Sequence, residues 1–363
     1  MTKTRAPFLK NWREIELPGP HTSQTGESFG YPAFFSNVTG LSRLKILHLR
    51  LPPGTRTNAP GAYRDEEEFF FVLEGTPDLW LDGNLHPLKE GDGVTFNDRT
   101  GVAHSLVNNT DRDVRLFCFG EATRLFSQFA CPLPADAATN DILRKQGKLW
   151  LELPKRKLGP NSGRAGDTSG RKRSRPDLVA NWRDILGKDE GGYPNSAEKH
   201  GIDALYGRRA RFSRIGIHAE ILPPGRRTSF PHAERDEEEW VYVVSGTVQC
   251  WINGWLHEMT EGDFVGFEAR TDICHAIINN SSEDAILLVG AEAARTRNQF
   301  WYPLHPHRDK ETGELFWADH PKPKLGPHDG LPDALRAKLP KAARKTAIAA
   351  NRAAMTIKTP KAR

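Results

Sequence analysis

Long apolar runs are missing from this sequence. No stretch approaches the ~18 consecutive apolar residues that a membrane-spanning helix needs, and the opening "MTKTRAPFLKNW" has no apolar signal-peptide core. Both absences lead us to expect a cytoplasmic chain with no membrane partner. Cysteine is scarce: Cys118, Cys131, Cys250 and Cys274 show no CxxC spacing and no framework. They read as buried, reduced thiols rather than a disulfide or zinc scaffold. Acidic residues are absent from one end. Between Arg336 and Arg363 there are nine Lys/Arg and no Asp or Glu, which outweighs the whole formal net charge of +5. The body is therefore net acidic, which argues against a nucleic-acid-binding core. The tail alone is expected to touch nucleic acid or anionic lipid, and only weakly. Long helical periodicity is missing from the middle of either half of the chain.

What is present is one unit written twice. "NWREI" at Asn11 returns as "NWRDI" at Asn181. "LPPGTRTNAPGAYRDEEEFFFVLEG" returns as "LPPGRRTSFPHAERDEEEWVYVVSG", "LDGNLHPLKEGDGVTF" as "INGWLHEMTEGDFVGF", and "VAHSLVNN" as "ICHAIINN". A repeat on this scale is read before anything else. It divides the 363 residues into an N-terminal unit (1–160), an exposed Gly/Ser/Arg-rich linker (161–175), a C-terminal unit (176–335) and a disordered basic tail (336–363). Within each unit the elements are short and β-rich. "LKILHLRL", "FFFVLEG", "DLWLDG" and "VRLFCFG" end at Gly, Asp or Asn or alternate apolar with polar residues, the pattern of an antiparallel sandwich or barrel.

Two motifs resemble those of the cupin superfamily. "EEEFFFVLEG" and "EEEWVYVVSG" place Glu68 and Glu239 seven residues before Gly75 and Gly246. "GDGVTFNDRTGVAHSLVN" and "GDFVGFEARTDICHAIIN" place His104 and His275 four before Asn108 and Asn279. The chain thus resembles a bicupin. The resemblance implies an all-β fold of tandem jelly-roll (double-stranded β-helix) barrels with short peripheral helices. It also implies metal ligands of the form His-x-His, then Glu, then a later His. In the second copy these positions hold His232, Glu234, Glu239 and His275. In the first, Gly61 and Tyr63 replace the early pair and Glu68 and His104 remain, so that barrel is expected to be metal-free scaffold.

Residues two apart on a strand share a face, so His232 and Glu234 can both point inward. Two imidazoles and one carboxylate with open positions suit non-haem Fe(II). Glu234 as a further oxygen ligand moves the preference toward Mn, and Zn is admitted. Alternatively Glu234 stays off the metal as a catalytic base. The expected cofactor is one divalent metal per chain, Fe(II) preferred. His104 alone reads as a hydrogen-bonded core or pocket histidine. Glu66, Glu67, Glu237 and Glu238 read as turn or rim charges, with Arg64 and Arg235 as their ion-pair partners. His86 and His257 read as structural, and His305 and His307 fall outside the motifs. The function that follows is a metal-dependent bicupin enzyme of dioxygenase type acting on a small organic acid or aromatic. The alternatives are a non-catalytic ligand- or metal-binding cupin, and an isomerase, lyase or decarboxylase. Homo-oligomers are allowed, and nothing in the sequence names the substrate.

Overall fold

The computed structural model describes residues 6–122, 127–194, 196–293 and 297–341. Each half folds into a β-barrel made of one six-stranded sheet facing smaller two- and three-stranded sheets. In the first barrel the large sheet runs, in spatial order, Asp92–Phe96, Glu68–Glu74, Val114–Glu121, Leu44–Leu51 and Tyr31–Phe34, with Val179–Asn181 on its outer edge. In the second the order is Asp263–Phe267, Glu239–Ser245, Ala285–Glu292, Ile215–Leu222 and Ile202–Ala204, with Leu9–Asn11 on the edge. The strands of both large sheets pair antiparallel throughout. Opposite each large sheet lies a smaller one, Asn84–Pro87 with Asp78–Leu81 and His104–Val107, or Trp255–Thr260 with Thr247–Ile252 and His275–Ile278. The tandem jelly-roll reading and its short helices are therefore what the chain adopts.

The edge strands come from the wrong half. Leu9–Asn11 pairs with Asp263–Phe267 of the second barrel, and Val179–Asn181 pairs with Asp92–Phe96 of the first. The repeated Asn-Trp pair explains how. Asn11 Nδ2 donates to Asp263 Oδ1 at 2.8 Å, and Asn181 Nδ2 to Asp92 Oδ1 at 2.8 Å. Trp12 and Trp182 then lie on Gly262 and Gly91, which hold φ of +85° and +81°. A Cβ at either glycine would meet the indole Cδ1 at 2.7 or 2.9 Å. The Gly-Asp turn is glycine both for its left-handed backbone and for room to seat the other half's tryptophan.

Strand alternation explains the aromatic runs. Phe70 and Val72 fill the first barrel's interior, while Phe69 and Phe71 face outward. Val241 and Val243 fill the second, while Trp240 and Tyr242 face outward. The outward rings join Phe35, Phe117, Phe119, Tyr206 and Phe264 in one core between the barrels. A strand buried on both faces loses the polar alternation of a half-exposed one, which is why "FFF" and "WVY" occur there.

Two expectations need correction. Glu67 and Glu238 are not rim charges: they are 2% and 3% exposed. The Glu67 carboxylate accepts from Ser213 N and Oγ at 2.8 and 3.0 Å, Arg214 N at 3.0 Å and Ile215 N at 3.1 Å. The Glu238 carboxylate accepts from Ser42 N and Oγ at 2.9 and 3.1 Å and Arg43 N at 3.0 Å. Each carboxylate thus caps the start of a strand in the other barrel. Arg64 and Arg235 bond instead to Gln128 and Gln299. His305 is buried and stacks on Phe230 at 4.0 Å.

The stretch 161–175, read as an exposed linker, is exposed over much of its length, but Asn161 and Gly163 are buried. Asn161 O accepts from Trp80 Nε1 at 3.2 Å. The basic tail begins inside the fold, where Arg336 bonds Asp329 at 2.6 Å. The rest of that tail, 342–363, lies outside the described residues.

Candidate metal centre

His232, Glu239 and His275 converge inside the second barrel. His232 lies on an isolated antiparallel bridge to His275, just before the short strand Ala233–Glu234. Glu239 opens the strand Glu239–Ser245 and shares the inward parity of Val241 and Val243. His275 opens His275–Ile278, with Phe267 stacked on its ring at 3.5 Å. One ligand atom from each of the three lies within 4.8 Å of the others. His275 Nε2 is 2.8 Å from Glu239 Oε2, and His232 Nε2 is 3.7 Å from it.

Both imidazoles are oriented by main chain. His232 Nδ1 lies 2.8 Å from Phe230 O and His275 Nδ1 3.3 Å from Ile273 O. Because a carbonyl only accepts, each Nδ1 is the donor and each Nε2 is left for the site. Glu234 stands beside the trio: its Oε1 is 3.6 Å from His232 Nε2, and its Oε2 accepts from Asn298 Nδ2 at 2.9 Å. Burial opposes charge on His232 and Glu239, yet mutual attraction wins. Glu234 and Glu239 hold His232 well above its ordinary pKa. His232 and His275 hold Glu239 below the usual carboxylate range despite its burial. Glu239 thus stays ionised, and a cation entering the site would take over the stabilising role of the proton that Glu234 and Glu239 hold on His232.

A second polar cluster lies on the same barrel's strand Ile215–Leu222. His218 Nε2 is 3.6 Å from Glu220 Oε2 and 3.8 Å from Asp203 Oδ1. Burial would lower the His218 pKa, but Glu220 and Asp203 outweigh it and raise it. His218 and Glu239 line one space of about 310 Å³ together with Arg208, Phe212, Gly216 and Gly290; His232 and His275 are not in its lining. Sequence reasoning missed His218. The signal was there: the repeat offset sets His218 and Glu220 against Leu47 and Leu49 of the first copy.

The first barrel keeps Glu68 and His104, 3.2 Å apart, with Phe96 stacked on His104 at 3.4 Å. At Gly61, where the second barrel has His232, a Cβ would meet the Phe129 ring at 2.2 Å. That ring, matched in the second barrel by Phe300 at 6.4 Å from His232, leaves no room here for a side chain. Tyr63, in place of Glu234, packs on the same Phe129 at 4.7 Å.

Glu66, read from sequence as a rim charge, is only 3% exposed. Burial, helped by the nearby Glu68 carboxylate, pushes its carboxyl up from 4.5 to about 7. The folded protein therefore holds this proton more tightly than the unfolded chain. That stabilisation is complete below about pH 4.5 and is lost as pH rises through 7. Glu66→Gln, which cannot ionise, is expected to gain about 2–3 kcal/mol over the parent at pH 8 and little at pH 4. Urea unfolding at the two pH values checks this; an equal change at both would show that ionisation is not the cause.

Two barrels, each closed over an inward Glu and His, define a tandem jelly-roll protein, with a candidate ligand set in one half. The cupin domain family matches the chain twice, over residues 47–120 and 219–290, and the chain belongs to the cupin superfamily as a bicupin. Comparison with curated protein sequences gives no match. Among solved structures, the Lactobacillus farciminis oxalate decarboxylase formate complex is similar at 16% identity and a TM-score of 0.51, over 88% of this chain and 98% of that one. A point mutant of Bacillus subtilis oxalate decarboxylase is similar at 14% identity and 0.51, over 89% of each chain. Vicilin from tomato, Solanum lycopersicum, is similar at 14% identity and 0.50, over 87% of this chain and 94% of that one. At these identities the likeness is one of fold.

Proposed function

We propose that the second barrel holds one divalent metal ion on His232, Glu239 and His275, and that the protein is a metal-dependent enzyme acting on a small organic acid or aromatic. The observation that carries this reading is the convergence of one ligand atom from each of His232, Glu239 and His275 within 4.8 Å, with both Nε2 atoms within 3.7 Å of Glu239 Oε2. The chemistry of that donor set fits a divalent cation, because both imidazoles already spend Nδ1 on main-chain carbonyls. When bound, the metal supplies a Lewis-acidic centre with open positions for substrate oxygen and, if it is iron, for dioxygen.

The protein's own groups have separate tasks. Glu234, held by Asn298, is the candidate acid–base at the site; its setting beside the trio favours that role over a fourth ligand. His218, backed by Glu220, faces the same space as Glu239 and can hold a proton or an anionic substrate group there. Phe267, stacked on His275, shields that imidazole from water.

The two-imidazole, one-carboxylate set favours a dioxygenase-type oxidoreductase with Fe(II). A decarboxylase with Mn is the second reading. Oxalate decarboxylase is the activity named for two of the fold neighbours, and Mn(II) centres are named for the Bacillus subtilis enzyme. Metal-loaded protein offered a panel of mono- and dicarboxylic acids and phenols separates the two. Substrate-dependent oxygen uptake, lost in Glu234→Gln, supports the first; carbon dioxide release without oxygen uptake supports the second. Metal binding with no turnover across the panel would favour a ligand-binding protein and sink both.

A further inference from the structure

The first barrel, read from sequence as scaffold, encloses a cavity of about 290 Å³. That is close to the lower end of small-molecule sites, roughly 300 Å³. Its walls show how it was made. Where the second barrel carries His218, Glu220, His232 and Glu234, the first has Leu47, Leu49, Gly61 and Tyr63. Leu47, Leu49 and Tyr63 line the cavity together with Phe70 and Phe129. The first barrel's interior is apolar and aromatic at positions where the second carries His and Glu.

The acids survive in this apolar setting. Glu66 and Glu68 both line the cavity. Glu66 is 3% exposed, and its Oε1 accepts no well-formed hydrogen bond among the described residues, although the Ser127 hydroxyl stands beside the carboxyl. A buried acceptor left unmade costs about 1–3 kcal/mol, so a donor that reached it would recover that loss. Glu121, also in the lining, is already paired with Arg214 at 2.6 Å. The one lysine of the lining, Lys45, is exposed. Carboxylates amid aromatic rings are the surroundings in which an organic ammonium group is stabilised, by charge and by the ring faces.

We propose that the interior of the first barrel is a binding site for a small aromatic amine, whose ammonium group bonds Glu66 and whose ring packs among Tyr63, Phe70 and Phe129. The site is built from first-barrel residues alone and does not depend on a metal in the second.

The test is calorimetric titration of the full chain at pH 8 with benzylamine, benzyl alcohol and benzoate, three probes of one size and three charges. Benzylamine is expected to bind tightest. Glu66→Gln keeps the side-chain shape and is expected to weaken benzylamine binding by at least about tenfold, the size of one charged hydrogen bond. Far-UV circular dichroism and the unfolding midpoint show that this variant is folded. His275→Ala, in the other barrel, should leave benzylamine affinity unchanged. Equal or tighter binding of benzyl alcohol or benzoate, undiminished benzylamine binding in Glu66→Gln, or loss of binding in His275→Ala would each overturn the assignment. So would the absence of binding by all three probes.

Discussion

His275→Ala is expected to empty the protein of metal, while His104→Ala leaves the content near one ion per chain. Both histidines stand at the same place in their repeats, each stacked on a phenylalanine. Their neighbours differ. Removing His275 deletes one of two imidazoles and leaves Glu234 and Glu239 facing only His232. Loss of a mere supporting group around a metal typically costs 10–100-fold in affinity, so loss of a ligand is expected to cost more than ~100-fold. Removing His104 deletes its 3.2 Å contact with Glu68, the Nδ1 hydrogen bond to Val102 O and a stacked ring, costing roughly 1–3 kcal/mol of stability and no metal. Elemental analysis of the parent and both variants, purified without added metal, is decisive. Two ions per parent chain, or full occupancy in His275→Ala, would refute the single site. Catalytic rate should follow the metal, falling with His275→Ala and surviving His104→Ala.

Glu67→Ala and Glu238→Ala should each destabilise the protein by about 3–5 kcal/mol, the range for breaking a buried charged contact. Each carboxylate gathers main-chain and hydroxyl donors from the opposite barrel. Alanine would strand those donors in a buried place without water to replace the acceptor. Glu74→Ala is the contrast. Its salt bridge to Arg115 at 2.9 Å is half exposed, and such pairs contribute about 0–1 kcal/mol. Urea unfolding curves compare the three. If Glu67→Ala and Glu74→Ala shifted the midpoint alike, the cross-barrel caps would not be what joins the halves.

Most of the barrel architecture was legible because duplication doubles every signal. Glycine turns, the alternating "LKILHLRL" and the spacing from Glu68 to His104 appear again at Glu239 and His275. The metal-site candidates were legible for the same reason: a side chain absent from one copy stands out in the other. What escaped was whatever depends on how the copies meet. A run such as "RDEEE" looks solvated when read along the chain, and nothing local says that Glu67 will meet Ser213 of the other half. Nor did "NWREI" announce that Asn11 would pair with Asp263, 252 residues away. His218 was overlooked because its strand sits before the motifs that drew attention. The cavity in the first barrel was invisible because an interior void is a property of side-chain volumes in three dimensions, not of any stretch of letters.

The exchanged edge strands set a timetable for the ribosome. The first barrel lacks its outer strand until Val179–Asn181 has emerged, so it cannot be finished when its own repeat has been translated. The second lacks nothing at the end, because Leu9–Asn11 has been waiting since the start. Translation proceeds at about 5–20 residues per second, so the early strand must stay unpaired for on the order of ten seconds or more before residues 263–267 arrive. A chain stalled with residue 170 outside the ribosome should be cut readily by protease within its first barrel. One stalled with residue 200 outside should resist. Equal sensitivity at the two lengths would show that the borrowed strand is an ornament of the finished molecule rather than a step in its birth.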